Sequence, residues 1–287
     1  YGKNMALDGI DLSIQEGEVY GFIGPNGAGK STTIRILLGM LKRDAGEVRI
    51  FNKDPWNDAV EIHKKISYIP GDVNLWPNLT GGEVIDYLAR LSGNLDLNRK
   101  KERLERFQLD PRKKCKSYSK GNRQKVALVS AFLNDADLYI FDEPTSGLDP
   151  LMEIMFKEYV NEAKEKGKTV FLSSHILEEV ESLCDIVGII RQGKIVETGS
   201  LDDLRHLTRT TITVELTKEM ELGNLNGVYD ISRSEDMLRF SVDSNQMAAV
   251  MGALAPMGIK SLKAEPPTLE ELFIRHYGEG VEGKETS

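Results

Sequence analysis

The chain has 287 residues, of which 40% are hydrophobic and 29% are charged. This length and composition exclude a small disulfide-stapled domain and indicate a folded chain with more than one structural unit, apart from a polar tail at residues 278–287. The net charge of −8 argues against general affinity for nucleic acid, which depends on clustered Lys and Arg.

No apolar run approaches the roughly 18 residues needed to span a bilayer, and no secretory signal is present. If a membrane is involved, another chain must supply the span. The two cysteines, Cys115 and Cys184, have no metal-ligand spacing, which favours a reduced, cytoplasmic setting. A basic cluster at residues 113–116 has two interpretations: a solvated surface or partner contact, which we favour, and a nucleic-acid site.

A glycine-rich segment near the N-terminus makes a nucleoside triphosphate the first ligand to consider. It reads Gly24-Pro25-Asn26-Gly27-Ala28-Gly29-Lys30-Ser31. The glycines let backbone N–H groups approach phosphate oxygens, Lys30 supplies a positive charge, and Ser31 offers a hydroxyl of the kind that ligates magnesium. An apolar strand predicted at 19–23 precedes the segment. A helix predicted at 30–40 follows it and would face the phosphates with its N-terminus.

Further apolar patterns predict an α/β fold around this loop. Alternation at residues 10–14 and 48–50 predicts strands, and residues 66–69 predict another. Because the strand at 10–14 lacks an upstream partner and the sequence begins with Tyr1, we expect a first strand to precede the sequence given. Between about residues 71 and 136, apolar residues recur at helical spacing, which predicts an inserted helical region.

Two apolar strands bring candidate catalytic side chains to one edge of the predicted sheet. Residues 138–141 end at Asp142 and Glu143, and residues 169–172 lead to His175. The carboxyl ends of parallel strands meet at one edge, where ligands bind. Because neighbouring strand residues point to opposite faces, we expect one carboxylate to hold magnesium and the other to orient the attacking water.

A hairpin predicted at 186–196 closes this core, and the pattern changes after about residue 203. A small α+β unit is predicted from strands at 211–216, 237–242 and 259–262 and a helix-like stretch at 246–254. A last helix is predicted at 268–277. We therefore divide the chain into a nucleotide-binding domain, residues 1–203, and an accessory C-terminal α+β domain, residues 204–287, for which a packing or regulatory role is favoured.

One further segment, at the start of a predicted helix, resembles the signature motif of ATP-binding cassette (ABC) ATPases. It reads Tyr118-Ser119-Lys120-Gly121-Asn122-Arg123-Gln124-Lys125. With the phosphate loop, the two carboxylates and the histidine, it completes that family's motif order over roughly residues 1–200. The resemblance implies a P-loop NTPase core with an inserted helical subdomain. It also implies a head-to-tail dimer that holds each ATP between the phosphate loop of one subunit and the signature helix of the other.

The resemblance implies roles for individual residues. It assigns Glu143 as the general base, His175 as the switch histidine that contacts the γ-phosphate, and Lys30 as the lysine on the β- and γ-phosphates. Ser31 and Asp142 would associate with Mg²⁺. The residues that would contact ATP are Tyr1, which stacks on adenine, then Gly24, Pro25, Asn26, Gly27, Ala28, Gly29, Lys30, Ser31 and Thr32, and, across the dimer, Ser119, Gly121 and Asp149.

Two parts of the sequence depart from the family's usual pattern. Gly71 stands where the family commonly has a glutamine, and glycine has no side chain with which to ligate magnesium or position water. Asp72 or a water molecule would substitute, or this loop's coupling role is carried differently. In the signature, Lys120 and Asn122 replace the usual glycine and glutamine, whereas the serine and second glycine of the clamp are kept. We expect activity to survive.

Within this family, the chain resembles most the stand-alone ATPase subunits of multidrug and antibiotic exporters. Three features carry this resemblance: a single cassette, no apolar run that could span a membrane, and the tail segment at residues 267–273. The resemblance implies ATP hydrolysis coupled to export of a small molecule through a separate transmembrane permease, at the cytoplasmic face of the cell membrane. The expected assembly is a homodimer or a pair with a similar subunit. ATP and Mg²⁺ are the expected ligands, and no nucleic acid is expected.

Two alternative functions stay open at this point. One is a soluble ABC-type ATPase that acts on ribosomes or nucleic acid, against which stand the single cassette and the acidic balance. The other is an ATP-dependent binding module that does not turn over, since Gly71 lacks the usual side chain. Co-purification from a detergent extract separates the first alternative from the exporter, and steady-state phosphate release decides the second.

Overall fold

The computed structural model describes residues 5–93, 96–206, 209–218, 226–234, 237–243 and 246–265. The chain divides into two compact units, residues 1–198 and 199–287. The elements up to residue 200 are β1 (Val19–Ile23), α1 (Lys30–Leu37), α2 (Ala59–His63), β2 (Ile66–Ile69), α3 (Gly81–Leu91), α4 (Leu97–Arg106), α5 (Lys120–Leu133), β3 (Leu138–Asp142), α6 (Pro150–Glu165), β4 (Thr169–Ser174), α7 (Leu177–Leu183), β5 (Ile186–Arg191) and β6 (Lys194–Ser200). They are followed by α8 (Leu201–His206), β7 (Arg209–Leu216), β8 (Val228–Ser234), β9 (Met237–Asp243), α9 (Met247–Leu254) and β10 (Ile259–Glu265).

The first unit is built on a six-stranded sheet with the strand order β2-β3-β4-β1-β5-β6. The strands from β2 to β5 in that order pair in parallel, so their carboxyl ends lie at one edge. All five residues of β1 are buried, as are nearly all those of β3 and β4. Burial on both faces explains why these strands read as continuous apolar runs. The predicted α/β fold class is confirmed.

The helical region between β2 and β3 is tied to the sheet through aromatic side chains. The Phe132 ring of α5 lies 5.6 Å from that of Phe141 on β3 and 4.9 Å from that of Tyr159 on α6. On α4, Arg106 forms ion pairs with Glu158 and Glu162 of α6, at 2.7 and 2.8 Å. The inserted helices therefore share a core and an ion network with the helix that follows β3.

Helix α6 was not predicted, although the sequence carries the signals of a helix N-terminus. Asp149 caps the helix by accepting a hydrogen bond from the Met152 N–H, and Pro150 occupies the first turn. Both features are typical of helix N-termini. Buried Phe156 and Val160 then recur at helical spacing.

Two predicted strands are corrected by the structure. Residues 10–14 alternate between half-buried and exposed, and Ile10, Leu12 and Ile14 pack against the core, but they form no strand among the described residues. Alternation of apolar and polar residues indicates which side chains face a core. It does not indicate whether the backbone pairs with a neighbouring strand. Around residues 48–50 only an isolated bridge between Ile50 and Lys53 forms.

Helix α1 ends at Leu37, three residues before the predicted end. Gly39 adopts a φ of 64°, and a Cβ there would lie 2.0 Å from the Pro55 carbonyl oxygen. This left-handed glycine terminates the helix by turning the chain.

The second unit contains a four-stranded antiparallel sheet with the order β10-β7-β9-β8. One face carries its core, which consists of Ile212, Val214, Leu238, Phe240, Val242, Val250 and Leu254. The predicted strands and helix at 211–262 are present. β8 was not predicted, because six of its seven residues are exposed and its apolar pattern is weak. The helix predicted at 268–277 lies outside the described residues.

Within the described ranges, no helix is both long and apolar enough to cross a bilayer.

Candidate nucleotide-binding and hydrolysis site

A cleft of about 150 Å³ opens at the turn between β1 and α1. Its lining consists of Ala6, Pro25, Asn26, Gly27, Gly29, Lys30, Ser31, Thr32 and Glu143. All but Ala6 belong to the predicted set of site residues. Ala6 was missed because it precedes the glycine-rich segment by about twenty positions in sequence and carries no chemical signal.

Steric limits fix the conformation of the glycine-rich turn. A Cβ at Gly24 would lie 2.4 Å from the Ile190 carbonyl oxygen. Gly29, which caps α1, has a φ of 118°, and a Cβ there would lie 2.6 Å from the Leu7 side chain. L-residues with side chains rarely adopt such angles. The turn therefore leaves backbone N–H groups uncovered at the start of a helix, where an anion is stabilised.

Lys30 is buried within this turn. Its ammonium group donates to the carbonyl oxygens of Gly24 at 2.6 Å and Pro25 at 3.2 Å, and it lies 3.8 Å from Glu143 Oε1. Burial lowers the pKa of Lys30, whereas the charges of Glu143 and Asp142 raise it. The site thus presents one partly desolvated positive charge next to the phosphate-binding backbone.

The two carboxylates after β3 have different environments. Asp142 is buried and accepts a hydrogen bond from the Ser173 hydroxyl. Glu143 is turned out of the strand, with a φ of 49°, and its Oε1 lies 3.2 Å from Nδ1 of His175. A non-glycine residue with positive φ is energetically unfavourable and is concentrated at functional sites. The structure thus brings Lys30, Glu143 and His175 together at the carboxyl edge of the sheet.

Ser173 contacts both carboxylate residues but was not among the predicted site residues. It lies opposite Asp142 in the register of β3 and β4, and its carbonyl oxygen accepts the Glu143 N–H at 2.9 Å. A register between two adjacent parallel strands would have predicted this contact. The sequence indicated both strands but not that they are neighbours.

The predicted signature residues lie elsewhere on the same unit. Ser119 caps α5, and its hydroxyl oxygen accepts from the Asn122 N–H at 3.3 Å. A Cβ at Gly121 would lie 2.5 Å from the Gly147 carbonyl oxygen. Lys120 donates to the Ser146 hydroxyl at 2.7 Å. Neither Ser119 nor Gly121 lines the cleft at the phosphate-binding turn of the same chain.

Asp149, the last predicted ATP contact, is an N-cap in this structure. Besides capping α6, its carboxylate lies 3.5 Å from the Lys125 ammonium group. Tyr1, the predicted adenine-stacking residue, lies outside the described residues.

Gly71 lies against Asp142, so a side chain at this position would be in close contact with it. A Cβ at Gly71 would lie 3.3 Å from the Asp142 carbonyl oxygen and 3.6 Å from its carboxyl group. Asp72 is exposed and accepts a hydrogen bond from Asn74 at 3.1 Å. Tyr68 lies on β2, before Gly71 and Asp72 in the sequence. Burial, together with the smaller effect of the Asp142 charge, raises the pKa of Tyr68 to about 12.

A parallel sheet, a glycine-rich turn feeding a helix, a buried lysine in that turn and a carboxylate pair at the neighbouring strand end define a P-loop nucleoside triphosphatase. A family model described as ABC transporter matches residues 7–146, and one described as ATP-binding protein DrrA1-3-like, C-terminal domain, matches residues 199–277. The chain is 34% identical to an uncharacterized ABC transporter ATP-binding protein, YhaQ, of Bacillus subtilis, over 97% of this chain and 95% of that protein. It is 32% identical to the bacitracin transport ATP-binding protein BcrA of Bacillus licheniformis, over 99% and 96%.

Solved structures give the same result. A structure of an ATP-binding subunit of an ABC transporter has a TM-score of 0.66 and 34% identity, and the match covers 72% of this chain and 88% of that one. The dimeric cassette MJ0796 with bound ADP and Pi has a TM-score of 0.64 and 26% identity, over 70% and 94%. The chain belongs to the ATP-binding subunits of ABC transporters. The predictions of family and ATPase activity are confirmed.

Proposed function

We propose that this chain hydrolyses ATP to power export of a small molecule through a separate transmembrane permease, as one of two ATP-binding subunits at the cytoplasmic face of the membrane. The observation that carries the hydrolytic part is the cluster of Lys30, Glu143 and His175 beside the phosphate-binding turn. Export is supported by relatives whose names describe bacitracin transport and linearmycin resistance, the latter the LnrL protein of Bacillus subtilis, 31% identical over 97% of this chain.

The contacts of Glu143 with Lys30 and His175 support a division of labour in hydrolysis. Glu143 accepts the proton of the attacking water, the new P–O bond forms at the γ-phosphorus, and the bond to ADP breaks with its electron pair on the departing oxygen. His175, within 3.2 Å of the same carboxylate, orients Glu143 and meets the γ-phosphate. Lys30 stabilises the negative charge of the β- and γ-phosphates once ATP draws it away from the carbonyl groups that it contacts.

Ser31 and Asp142 fit a magnesium ion, because a hydroxyl and a carboxylate are the hard oxygen ligands that Mg²⁺ prefers, with phosphate oxygens and water completing the shell. When bound, the ion neutralises charge on the phosphates. The described residues contain no group of three or more His, Cys, Asp and Glu that could hold a metal. A site shared between protein and nucleotide requires no such group.

The dimer is proposed from the placement of the signature residues. Ser119 and Gly121 stand at the N-terminus of a 14-residue helix but do not line the cleft of their own chain. A second subunit, placed head to tail, would use these residues to close over ATP. The dimeric assembly of the MJ0796 cassette supports this arrangement.

The experiment that tests the proposal is affinity purification of the tagged full-length chain from detergent-solubilised membranes, followed by identification of its partners and measurement of phosphate release. We expect a multi-span membrane protein and ATP-dependent phosphate release that Glu143→Gln lowers by roughly 10²- to 10⁴-fold. A ribosome-bound fraction without a membrane partner would overturn the transport function. Co-purification of a membrane partner without phosphate release would contradict the proposal that this chain hydrolyses ATP.

A further inference from the structure

Glu179 on α7 is a buried carboxyl group that the proposed mechanism does not use. It is 3% exposed. Its Oε2 accepts a hydrogen bond from the Ser174 hydroxyl at 2.6 Å, whereas Oε1 is buried without a hydrogen-bond partner among the described residues. Burial raises the pKa of Glu179, and the hydroxyl groups of Ser174 and Thr145 offset part of this effect.

Packing does not explain a carboxyl group at position 179. A buried ionisable group with one unpaired oxygen destabilises a fold relative to an apolar side chain of similar volume. The neighbours of Glu179 on α7, Val180 and Leu183, are apolar and buried. Packing alone would therefore favour a leucine or methionine at position 179.

The contacts of Ser174 connect this carboxyl group to the histidine. The Ser174 hydroxyl donates to Glu179 and at the same time accepts from the Ile176 N–H at 3.0 Å. These two hydrogen bonds close the turn between β4 and α7, and His175 is the residue between them. The helix has no other side-chain cap at its start, so the orientation of the turn depends on this hydroxyl and its acceptor.

The second neighbour of the carboxyl group belongs to the segment that carries the general base. Thr145, 5% exposed, follows Glu143 by two residues, and its hydroxyl group also lowers the pKa of Glu179. One buried side chain therefore contacts the turn that holds His175 and approaches the turn that follows Glu143.

We infer that Glu179 is a positioning residue of ATP hydrolysis: its carboxyl group fixes the turn at Ser174 and Ile176 and thereby places His175 against Glu143. This inference rests on the proposed function, in which His175 and Glu143 act together. Glu179 itself is not among the residues that line the cleft at the phosphate-binding turn.

The test is a double-mutant cycle between positions 179 and 175, measured as kcat and KM for MgATP in the purified full-length chain with its membrane partner. Glu179→Leu removes the acceptor at similar volume, and Glu179→Gln keeps an acceptor for Ser174. Glu178→Gln is the matched control, because Glu178 is the exposed neighbour of Glu179. Ser174→Ala is a second variant that breaks the same link without changing the buried charge.

We expect Glu179→Leu and Ser174→Ala each to lower kcat by about tenfold with little change in KM, since a small displacement of a reacting group has effects of this order or larger. Glu179→Gln is expected to restore most of the loss, and Glu178→Gln to match the wild type. In a His175→Ala background, Glu179→Leu should change kcat less than about twofold, because residues that act as a unit are not additive.

Equal losses from Glu179→Leu in both backgrounds, or wild-type kcat for Ser174→Ala, would overturn the inference while leaving the proposed function intact. Wild-type kcat for His175→Ala alone would instead overturn the role of His175 in the proposed function, and the inference with it. If Glu179→Leu fails to fold, Ser174→Ala in the two backgrounds decides the same question.

Discussion

The two units of this chain bury polar groups very differently. In the first unit, buried charged or polar side chains include Lys30, Gln124, Asp142, Ser173 and Glu179, whereas in the described part of the second unit the buried polar residue is Thr211. Buried polar groups destabilise a fold unless they are hydrogen-bonded. The first unit buries several such groups, and one of them, Lys30, lies within the phosphate-binding turn. The described core of the second unit is apolar apart from Thr211. Chemistry and stability are therefore expected to respond to substitutions in different units.

The largest effect is expected at Glu143, the proposed general base. Glu143→Gln should lower kcat by roughly 10²- to 10⁴-fold, because proton abstraction is lost while the side-chain shape is kept. Phosphate release measures turnover, and nucleotide binding should persist with the dimer trapped closed. The matched change in the second unit, Glu215→Gln, removes a surface pair with Lys260 and should leave kcat unchanged. Wild-type turnover in Glu143→Gln would remove Glu143 from this role.

A core substitution in the second unit should separate stability from chemistry. Phe240 is fully buried, and Phe240→Ala should destabilise this unit by about 3–5 kcal/mol. The two tryptophans, Trp56 and Trp76, both lie in the first unit, so their fluorescence reports its unfolding alone. In Phe240→Ala, the far-UV circular dichroism should begin to change at a lower denaturant concentration than in the wild type. The midpoint of the tryptophan fluorescence transition should stay unchanged.

Phe171→Ala is the matched control in the first unit. Phe171 is buried and stacks on Tyr20 with ring centroids 6.0 Å apart, and its loss should shift the tryptophan transition itself. If Phe240→Ala shifts that transition equally, the two units unfold together and the comparison fails.

A smaller effect is expected at the phosphate-binding lysine. Lys30→Ala should weaken ATP binding by roughly 10- to 100-fold, the range expected for loss of a hydrogen bond to a charged group. Equilibrium binding of a fluorescent ATP analogue measures the change. Lys260→Ala, in the second unit, is the control and should bind as the wild type does. Unchanged affinity in Lys30→Ala would contradict the assignment of the phosphate-binding turn.

The smallest effect is expected in the altered signature. Lys120 is exposed and its contact in this chain is with Ser146, so Lys120→Ala should lower kcat by only about two- to fivefold, as befits a hydrogen bond at the surface. Lys116→Ala, an exposed neighbour, is the control. A loss of more than tenfold would mean that Lys120 reaches the nucleotide of a second subunit instead.

The sequence predicted those parts of the fold in which local pattern and burial agree. Strands buried on both faces, such as 138–141, and the glycine-rich turn were identified because their residue types are required by their surroundings. The strands expected at 10–14 and 48–50 were wrong because a strand also requires a partner, which is a property of the whole sheet. β8 was missed because exposed strands carry little apolar signal.

The same division holds for the site. Motif spacing singled out Lys30, Glu143 and His175. In the structure, Lys30 lies 3.8 Å and His175 lies 3.2 Å from the Glu143 carboxylate. Motif spacing could not indicate Ser173 or Glu179. The contact of Ser173 with Asp142 depends on strand register, and the position of Glu179 is notable only because its carboxyl group is buried. The roles of all the predicted site residues stay predictions. Those of Ser119, Gly121 and Asp149 depend on a second subunit, and Tyr1 lies outside the described residues.

The left-handed backbone at Glu143 has a consequence for how this protein tolerates change. Selection for thermal endurance alone would favour glycine or asparagine there, because either residue relieves the conformational penalty of a positive φ. Keeping a glutamate at that position means that the protein retains an unfavourable backbone conformation at the residue that we propose as the general base. A screen for variants with higher thermal stability should therefore recover substitutions at position 143 that have lost ATPase activity.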